Sequence, residues 1–379
     1  MRKFVISMIA VFGVIMLGLI ILMITAISSG GISTHSSFTI SHAELVNTSN
    51  ISMEGIEELT LEYSSDDIFF YESDTSELIL MEYMSIAPDE NELTRVKQSG
   101  SKLRLQGGDR MRRNWIFNYY NGYVEVYLPT NYRGSISAST SSGNIETDLI
   151  FTLADFAAAC SSGDIYINEV SAAKISAATT SGNIDFNKAE GTRSFASSSG
   201  DIRILGGNGD TDVSCTSGNI TVHNNTGALN AEASSGDITV KAVVGYKEIE
   251  TTSGNLQLSD CSGYLKATAS SGDTIISDLD GAGSFKSTSG NINVSFTDSL
   301  NANNEDIEAV SSSGDVTLKI PGGASFDFEA NTSSGDIDTF FDESLSYKKD
   351  GDHANGTVGD NPTFRMELET TSGSITVKD

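Results

Sequence analysis

The chain is poor in positive charge, cysteine, histidine and tryptophan, and each shortage removes a class of function. Only 23 Lys and Arg stand against 51 Asp and Glu in 379 residues, a net charge of −28. That balance argues against nucleic acid or an anionic membrane surface as a partner. Its plain effect is solubility and resistance to sideways aggregation. The four histidines, His35, His42, His223 and His353, are scattered and show no metal-ligand spacing. No Gly-x-Ser-x-Gly elbow with a nearby His accompanies the many serines, which argues against a serine hydrolase. Long apolar runs are also scarce, with one exception at the start of the chain.

That exception runs from Phe4 to Ile27 behind Arg2 and Lys3. At about 1.5 Å per helical residue it reaches roughly 36 Å, enough for a bilayer core of about 30 Å with some tilt. A signal-peptide core is usually shorter, at about 7–15 residues. Residues 1–27 therefore read as an uncleaved signal-anchor transmembrane helix, with cleavage after Ala26 as the alternative. The basic end stays in the cytoplasm and the bulk lies outside the cell membrane. Without Arg2 and Lys3 the exported part carries −30. Residues 28–42 are a polar linker, Gly/Ser-rich at its start.

What the sequence has in abundance is a Ser-Gly pair followed by Asp, Asn or once Ser. Its glycines are Gly143, Gly163, Gly182, Gly200, Gly218, Gly236, Gly254, Gly272, Gly290, Gly314, Gly335 and Gly373. The spacings are 20, 19, six times 18, then 24, 21 and 38. A fixed period of this size marks a solenoid, whose units bury their apolar faces only by stacking. Two and four positions after the glycine stand apolar residues, as at Ile238 and Val240, so a short strand with one buried face follows each turn. Thr274, Thr147 and Thr339 break this rule. Five positions before the glycine the residue is apolar, and three before it is always small, as at Ala231 and Ala233. This describes a second strand ending in a narrow corner. The glycine permits a turn that a Cβ would resist, and the Asp or Asn can bond the turn's own backbone.

The fold class is therefore all-β, a single-stranded parallel β-solenoid (β-helix) of about 18-residue coils after one N-terminal transmembrane helix. A 36-residue coil with two motifs on opposite sides is the competing geometry. The residue after the glycine alternates for ten repeats, from Asn144 and Asp164 to Asn291 and Asp315. In 18-residue coils this separates like charges by about 10 Å and sets each Asp against amide donors. Calcium is disfavoured at these turns, because each offers one carboxylate or one amide where about six to eight oxygens are needed. Cys160 and Cys215 share the small corner column but lie three coils apart, about 14 Å. A disulfide needs Cα atoms within about 7 Å. Cys261 falls elsewhere on its coil, so all three read as small buried residues.

Residues 43–133 are rich in strand patterns but lack the glycine period, and read as an N-terminal β cap covering the open end of the stack. Asn114–Leu128 reads as a hairpin around Asn121-Gly122. Residues 134–379 form the solenoid, with a loop inserted between Gly290 and Gly314. A polar excursion near Tyr347–Gly356 follows, and Phe364–Glu369 with Ser374–Val377 close the C-terminal end. Basic and aromatic residues concentrate at one place only, where Arg110, Arg112 and Arg113 precede Trp115, Phe117, Tyr119, Tyr120, Tyr123 and Tyr127. Arg112, Arg113, Trp115, Tyr119, Tyr120 and Tyr123 are the candidate contacts for a surface glycan or protein ligand. The plainer alternative is a cap hairpin packing its rings on the first coil.

Three stretches, Val124-Glu-Val-Tyr-Leu-Pro129, the serial Ser-Gly-Asp/Asn-Ile coils and Leu368-Glu-Thr-Thr-Ser-Gly-Ser-Ile375, resemble the bacterial putative-adhesin family, a β-strand-repeat domain of unknown function. The resemblance spans roughly Ala43 to Asp379. It implies a β-solenoid used for adhesion or envelope scaffolding, with no cofactor, no metal and no catalytic residue to carry over. Some relatives belong to cell-envelope stress systems, so it also allows a sensing role. The rival from a different class is a carbohydrate-active β-helix enzyme. It needs carboxylates and a basic residue converging on one face. Here the acids are spread along the coils and Arg is scarce among them, so the protein reads as a non-enzyme.

Overall fold

A computed structural model describes residues 43–109, 121–302, 304–348 and 351–379. The apolar run Phe4–Ile27 and the segment from Arg110 to Tyr120 lie outside the described residues. Among the described residues no helix is long and apolar enough to cross a membrane. Residues 43–379 form one compact unit.

Each coil contributes two strands, one before the Ser-Gly turn and one after it. Leu229–Ser235 pairs in parallel with Lys247–Ser253 and that with Leu265–Ser271, always 18 residues on. Ile238–Val244 stacks likewise on Leu256–Ser259, and that on Thr274–Leu279. The repeat is thus the 18-residue coil, and the Asx alternation runs along one corner. Alternation of inward apolar and outward polar positions drives this. Ile165, Ile184, Ile202, Ile220, Ile238 and Leu256 form an interior column with no solvent exposure. Each such side chain contributes about 1.5–3 kcal/mol by leaving water.

The first strands carry the stack back before Ser135. The strands β1 (Glu44–Ser52), β2 (Glu58–Glu62), β3 (Asp67–Ser73), β4 (Glu77–Met84), β5 (Arg95–Ser99), β6 (Lys102–Gln106) and β7 (Gly122–Pro129) precede β8 (Ser135–Thr140) and β9 (Ile145–Thr152). β2 pairs in parallel with β8 and β3 with β9, so residues 58–73 are already a coil. On the outer side β6 stacks on β2 and β7 on β3, both in parallel. Antiparallel strands then finish the end: β5 on β6, and β4 on β7 with β1 beyond it. The first arm of the hairpin expected at Asn114–Leu128 lies outside the described residues; the second is β7, whose two edges are paired with β3 and β4.

The far end departs from chain order in the same manner. Phe364–Ser372 pairs with Ile307–Ser313 on one edge and Phe326–Thr332 on the other. Ile375–Lys378 sits likewise between Val316–Lys319 and Ile337–Thr339. The chain's last two strands are therefore an interior coil and not the closing one. The end is covered instead by the excursion, whose strand His353–Val358 runs antiparallel to Phe326–Thr332 and to Leu345–Tyr347. The insertion between Gly290 and Gly314 emerges at the opposite corner from the Ser-Gly turns, where Asp298–Ala302 forms a 3-10 turn.

Candidate binding surface

The Ser-Gly corner is built by contact between coils. A Cβ on Gly236 would meet the carbonyl oxygen of Gly218 at 2.0 Å, and one on Gly163 would meet that of Gly143 at 1.7 Å. Gly236 has no positive φ, so closeness of the neighbouring coil, rather than turn conformation, demands glycine there. The small column three residues earlier also reaches across. The hydroxyls of Thr179 and Thr251 donate to the carbonyls of Gly163 and Gly236, each at 3.2 Å. The Asx side chains likewise serve the next coil and not their own turn. Oδ1 of Asp201 accepts the amide of Asn219 at 2.8 Å, and Oδ1 of Asn219 accepts the amide of Asp237 at 3.0 Å. The series starts at Asp67, which accepts from Asn144, and reaches Ser374, which donates to Asp315. This corner is fully used in holding coils together.

The opposite corner has a glycine column of its own at Gly191, Gly209, Gly227, Gly245, Gly263 and Gly281, where φ is positive throughout. These lie nine residues after successive Ser-Gly glycines from Gly182 to Gly272. Two cations point inward beside it. Lys247, with no exposure, donates to the carbonyls of Gly245 and Ser262, both at 2.6 Å. Arg193 donates to the carbonyls of Ala189 and Gly209 and to Oδ1 of Asn225. Burial pulls Lys247 down to about 8, and lowers Arg193 too. Cys160, Cys215 and Cys261 are buried free thiols, and burial pushes Cys160 up to about 12. Among the described residues no group of three or more His, Cys, Asp or Glu is placed to hold a metal ion.

What remains for a ligand is the outer face. Several of its charged residues pair along the stack, as Lys266 does with Glu248 at 2.6 Å and Lys188 with Glu169 at 2.8 Å. Arg203 pairs with Asp185 in the same way. The outer side of β3, β7 and β4 is different. Alternation in β7 turns Val124 and Val126 into the core and leaves Tyr123, Glu125 and Tyr127 outside. Tyr123 lies opposite Tyr83 of β4 and stacks on it, with ring centroids 4.4 Å apart and planes at 10°. Tyr127 stacks on Tyr71 of β3 at 5.1 Å, and Phe69 meets Tyr123 edge-on at 5.8 Å. Between the two stacks Glu125 accepts from the hydroxyls of Tyr83 and Tyr127, both at 3.1 Å. Burial, followed by the hydrogen bond to Glu125, pushes Tyr83 up to about 12. Burial with the charge of Glu125 raises Tyr71, Tyr123 and Tyr127 as well. All four phenols stay neutral at physiological pH.

Of the residues singled out from sequence, Tyr123 belongs to this face, and Tyr127 from the same aromatic run joins it. Arg112, Arg113, Trp115, Tyr119 and Tyr120 lie outside the described residues. Tyr71, Tyr83 and Phe69 were not singled out. They sit in strand patterns of their own, and only the pairing of β7 with both β3 and β4 brings them together.

This architecture, two parallel strands per coil stacked at a fixed 18-residue register, defines an all-β solenoid. The Toastrack DUF4097 family model matches residues 56–245 and again 228–378, and the chain belongs to that family. No curated protein matches the chain. Solved structures that resemble it include a putative cell adhesion protein from Clostridium sporogenes, at 10% identity over 89% of this chain and 99% of that one, TM-score 0.20. A putative adhesin from Bacteroides fragilis matches at 12% identity over 87% and 96% of the two chains, TM-score 0.21. Another from Parabacteroides distasonis matches at 11% identity over 87% and 96%, TM-score 0.30. The family match carries the assignment, and it agrees with the adhesin resemblance of the Ser-Gly-Asp/Asn-Ile coils.

Proposed function

We propose that the protein is a membrane-anchored, extracytoplasmic binding or scaffolding protein of the cell envelope, and that it does no chemistry. The run Phe4–Ile27 behind Arg2 and Lys3 supports the anchor and its orientation. The observation that carries the binding role is the Tyr83–Tyr123 stack, held on a strand whose two edges are both hydrogen-bonded. Rings fixed in this manner offer a ligand apolar area with little side-chain entropy left to lose.

The test is binding of the protein, in lipid nanodiscs, to envelope glycans, host matrix proteins and whole cells. Saturable binding that drops at least about tenfold in the Tyr83→Ala/Tyr123→Ala double variant is the expected result. Binding that is unchanged in that variant, with folding intact, would move the contact to another surface. No binding to any of these would remove the adhesive role.

A further inference from the structure

We propose that the tyrosine face of β3, β7 and β4 takes a positively charged protein segment, seating lysine or arginine side chains against the paired rings. The proposal rests on reading this face as the contact surface and names its ligand class.

The argument is one of charge. Elsewhere on the stack some carboxylates meet cations across coils, as Glu58 does with Lys102, Glu248 with Lys266, Glu308 with Lys286 and Glu329 with Arg365. On the tyrosine face the hydrogen bonds of Glu125 go to phenol hydroxyls. The charges acting on Tyr71 come from Glu125, Asp148 and Glu146, and that acting on Tyr123 from Glu125. No lysine or arginine is among them. Glu146 itself is pushed up, first by burial and then, against its bond from Asn144, by Asp67, Asp164 and Asp148. Among the described residues the face therefore joins the negative π faces of four tyrosines to carboxylates without a cation.

That combination attracts a cation twice over, through the ring quadrupole and through the carboxylate. A guanidinium can also lie flat on a ring. An anionic polysaccharide would meet charge of its own sign at Glu125, Glu146 and Asp148. The chain's net −28 would steer a cationic partner toward it at long range. Recognition must be by side chains, because both edges of β7 are taken and no strand can be added there. Tyr123 and Tyr127 are four residues apart on β7, about 13 Å at the usual rise. An extended segment would match them with cations spaced about four residues apart.

The experiment titrates the full-length protein in zwitterionic nanodiscs at about 150 mM salt, where diffuse attraction is screened beyond about 8 Å. The probes are a labelled peptide with lysine at every fourth position among serines, its glutamate counterpart, and a neutral chitin hexasaccharide. The variants are Glu125→Gln, Tyr83→Ala/Tyr123→Ala and Glu250→Gln, the last removing an equal charge from an exposed site on the other face. The lysine peptide should bind saturably. Glu125→Gln and the tyrosine variant should each weaken it about tenfold or more, and Glu250→Gln less than about twofold. Equal losses in Glu125→Gln and Glu250→Gln would show diffuse attraction and overturn the proposal, as would absence of peptide binding. If the hexasaccharide binds, is lost with Tyr83 and Tyr123 and ignores Glu125→Gln, the contact surface stands and the cationic ligand class falls. Should neither probe respond to the tyrosine variant, both readings fail together.

Discussion

The amide of Asn255 donates to Oδ1 of Asp237 at 2.7 Å, one coil away, and the Asn255 side-chain amide donates to the same oxygen at 3.2 Å. Asn255 in turn accepts the amide of Asp273 at 3.0 Å. Each carboxylate thus lies between two amides, which explains the strict alternation of Asp and Asn. Replacing Asn255→Asp would put three carboxylates in adjacent coils about 4.8 Å apart. The backbone acceptor survives, so the cost should be electrostatic, on the order of 1 kcal/mol, and should shrink in high salt. Denaturant titration at low and high salt reads both. A salt-independent loss would mean that the alternation serves geometry and not charge.

Glycine is required at the Ser-Gly corner by the coil beside it. Gly236→Ala places a Cβ 2.0 Å from the Gly218 carbonyl, which is backbone on a hydrogen-bonded coil and cannot step aside. A loss of roughly 3 kcal/mol or more follows from overpacking of that severity. Gly206→Ala is the control, since its Cβ would find only the Asn187 and Asn224 carbonyls at 3.6 and 3.9 Å, and its φ is not positive. That change should be neutral or stabilising by up to about 1 kcal/mol. Comparable losses at the two positions would contradict the packing argument.

Much of this was legible beforehand, and the reason is the period. A contact repeated every 18 residues writes itself into the sequence at every repeat, so coil length, inward columns and the small corner residues could all be read off. Thr179 and Thr251 also show why the small column favours hydroxyls, which needed the partner carbonyl to be seen. The second glycine column is equally periodic but carries no Ser-Gly-Asx signature to mark it. The ends were not legible. Insertion of β7 between β3 and β4, and of Phe364–Ser372 between two earlier strands, depends on pairings made once each. The first of these insertions assembles the tyrosine face, so Tyr83 beside Tyr123 could not be foreseen from either strand.

Thr274 breaks the apolar rule inside the interior column. It is fully buried, paired in register with Leu256 and Ile292, and its hydroxyl has no hydrogen-bond partner. A buried unpaired hydroxyl costs about 1–3 kcal/mol. Thr274→Val keeps the branched shape that a strand favours and removes the orphan group. It should raise stability by about 1 kcal/mol or more, measured as a higher denaturation midpoint with unchanged slope. A destabilised variant would show that the hydroxyl is satisfied inside the folded protein.

Lys247 occupies another inward column, in register with Leu229 and Leu265, and its position makes a prediction about pH. Burial holds its folded value at about 8, against about 10.4 for an exposed lysine. The unfolded chain therefore binds the proton more tightly than the folded one. Between about pH 8 and pH 10.4 the unfolded state carries more protons, so stability rises with pH across that window. Below about pH 8 both states are protonated, the slope from this residue vanishes, and the burial penalty is present in full. The two carbonyls that accept from Nζ offset part of it, so the rise should be on the order of 1–3 kcal/mol. Lys247→Leu matches the flanking coils and should abolish this part of the pH dependence, with stability below pH 8 equal to or above that of the parent. Other groups titrate in the same range, the deprotonating cysteines among them, so the reading is the difference between parent and variant. A difference that stays constant from pH 7 to pH 10.5 would mean that Lys247 keeps its proton in the folded protein, held by the Gly245 and Ser262 carbonyls.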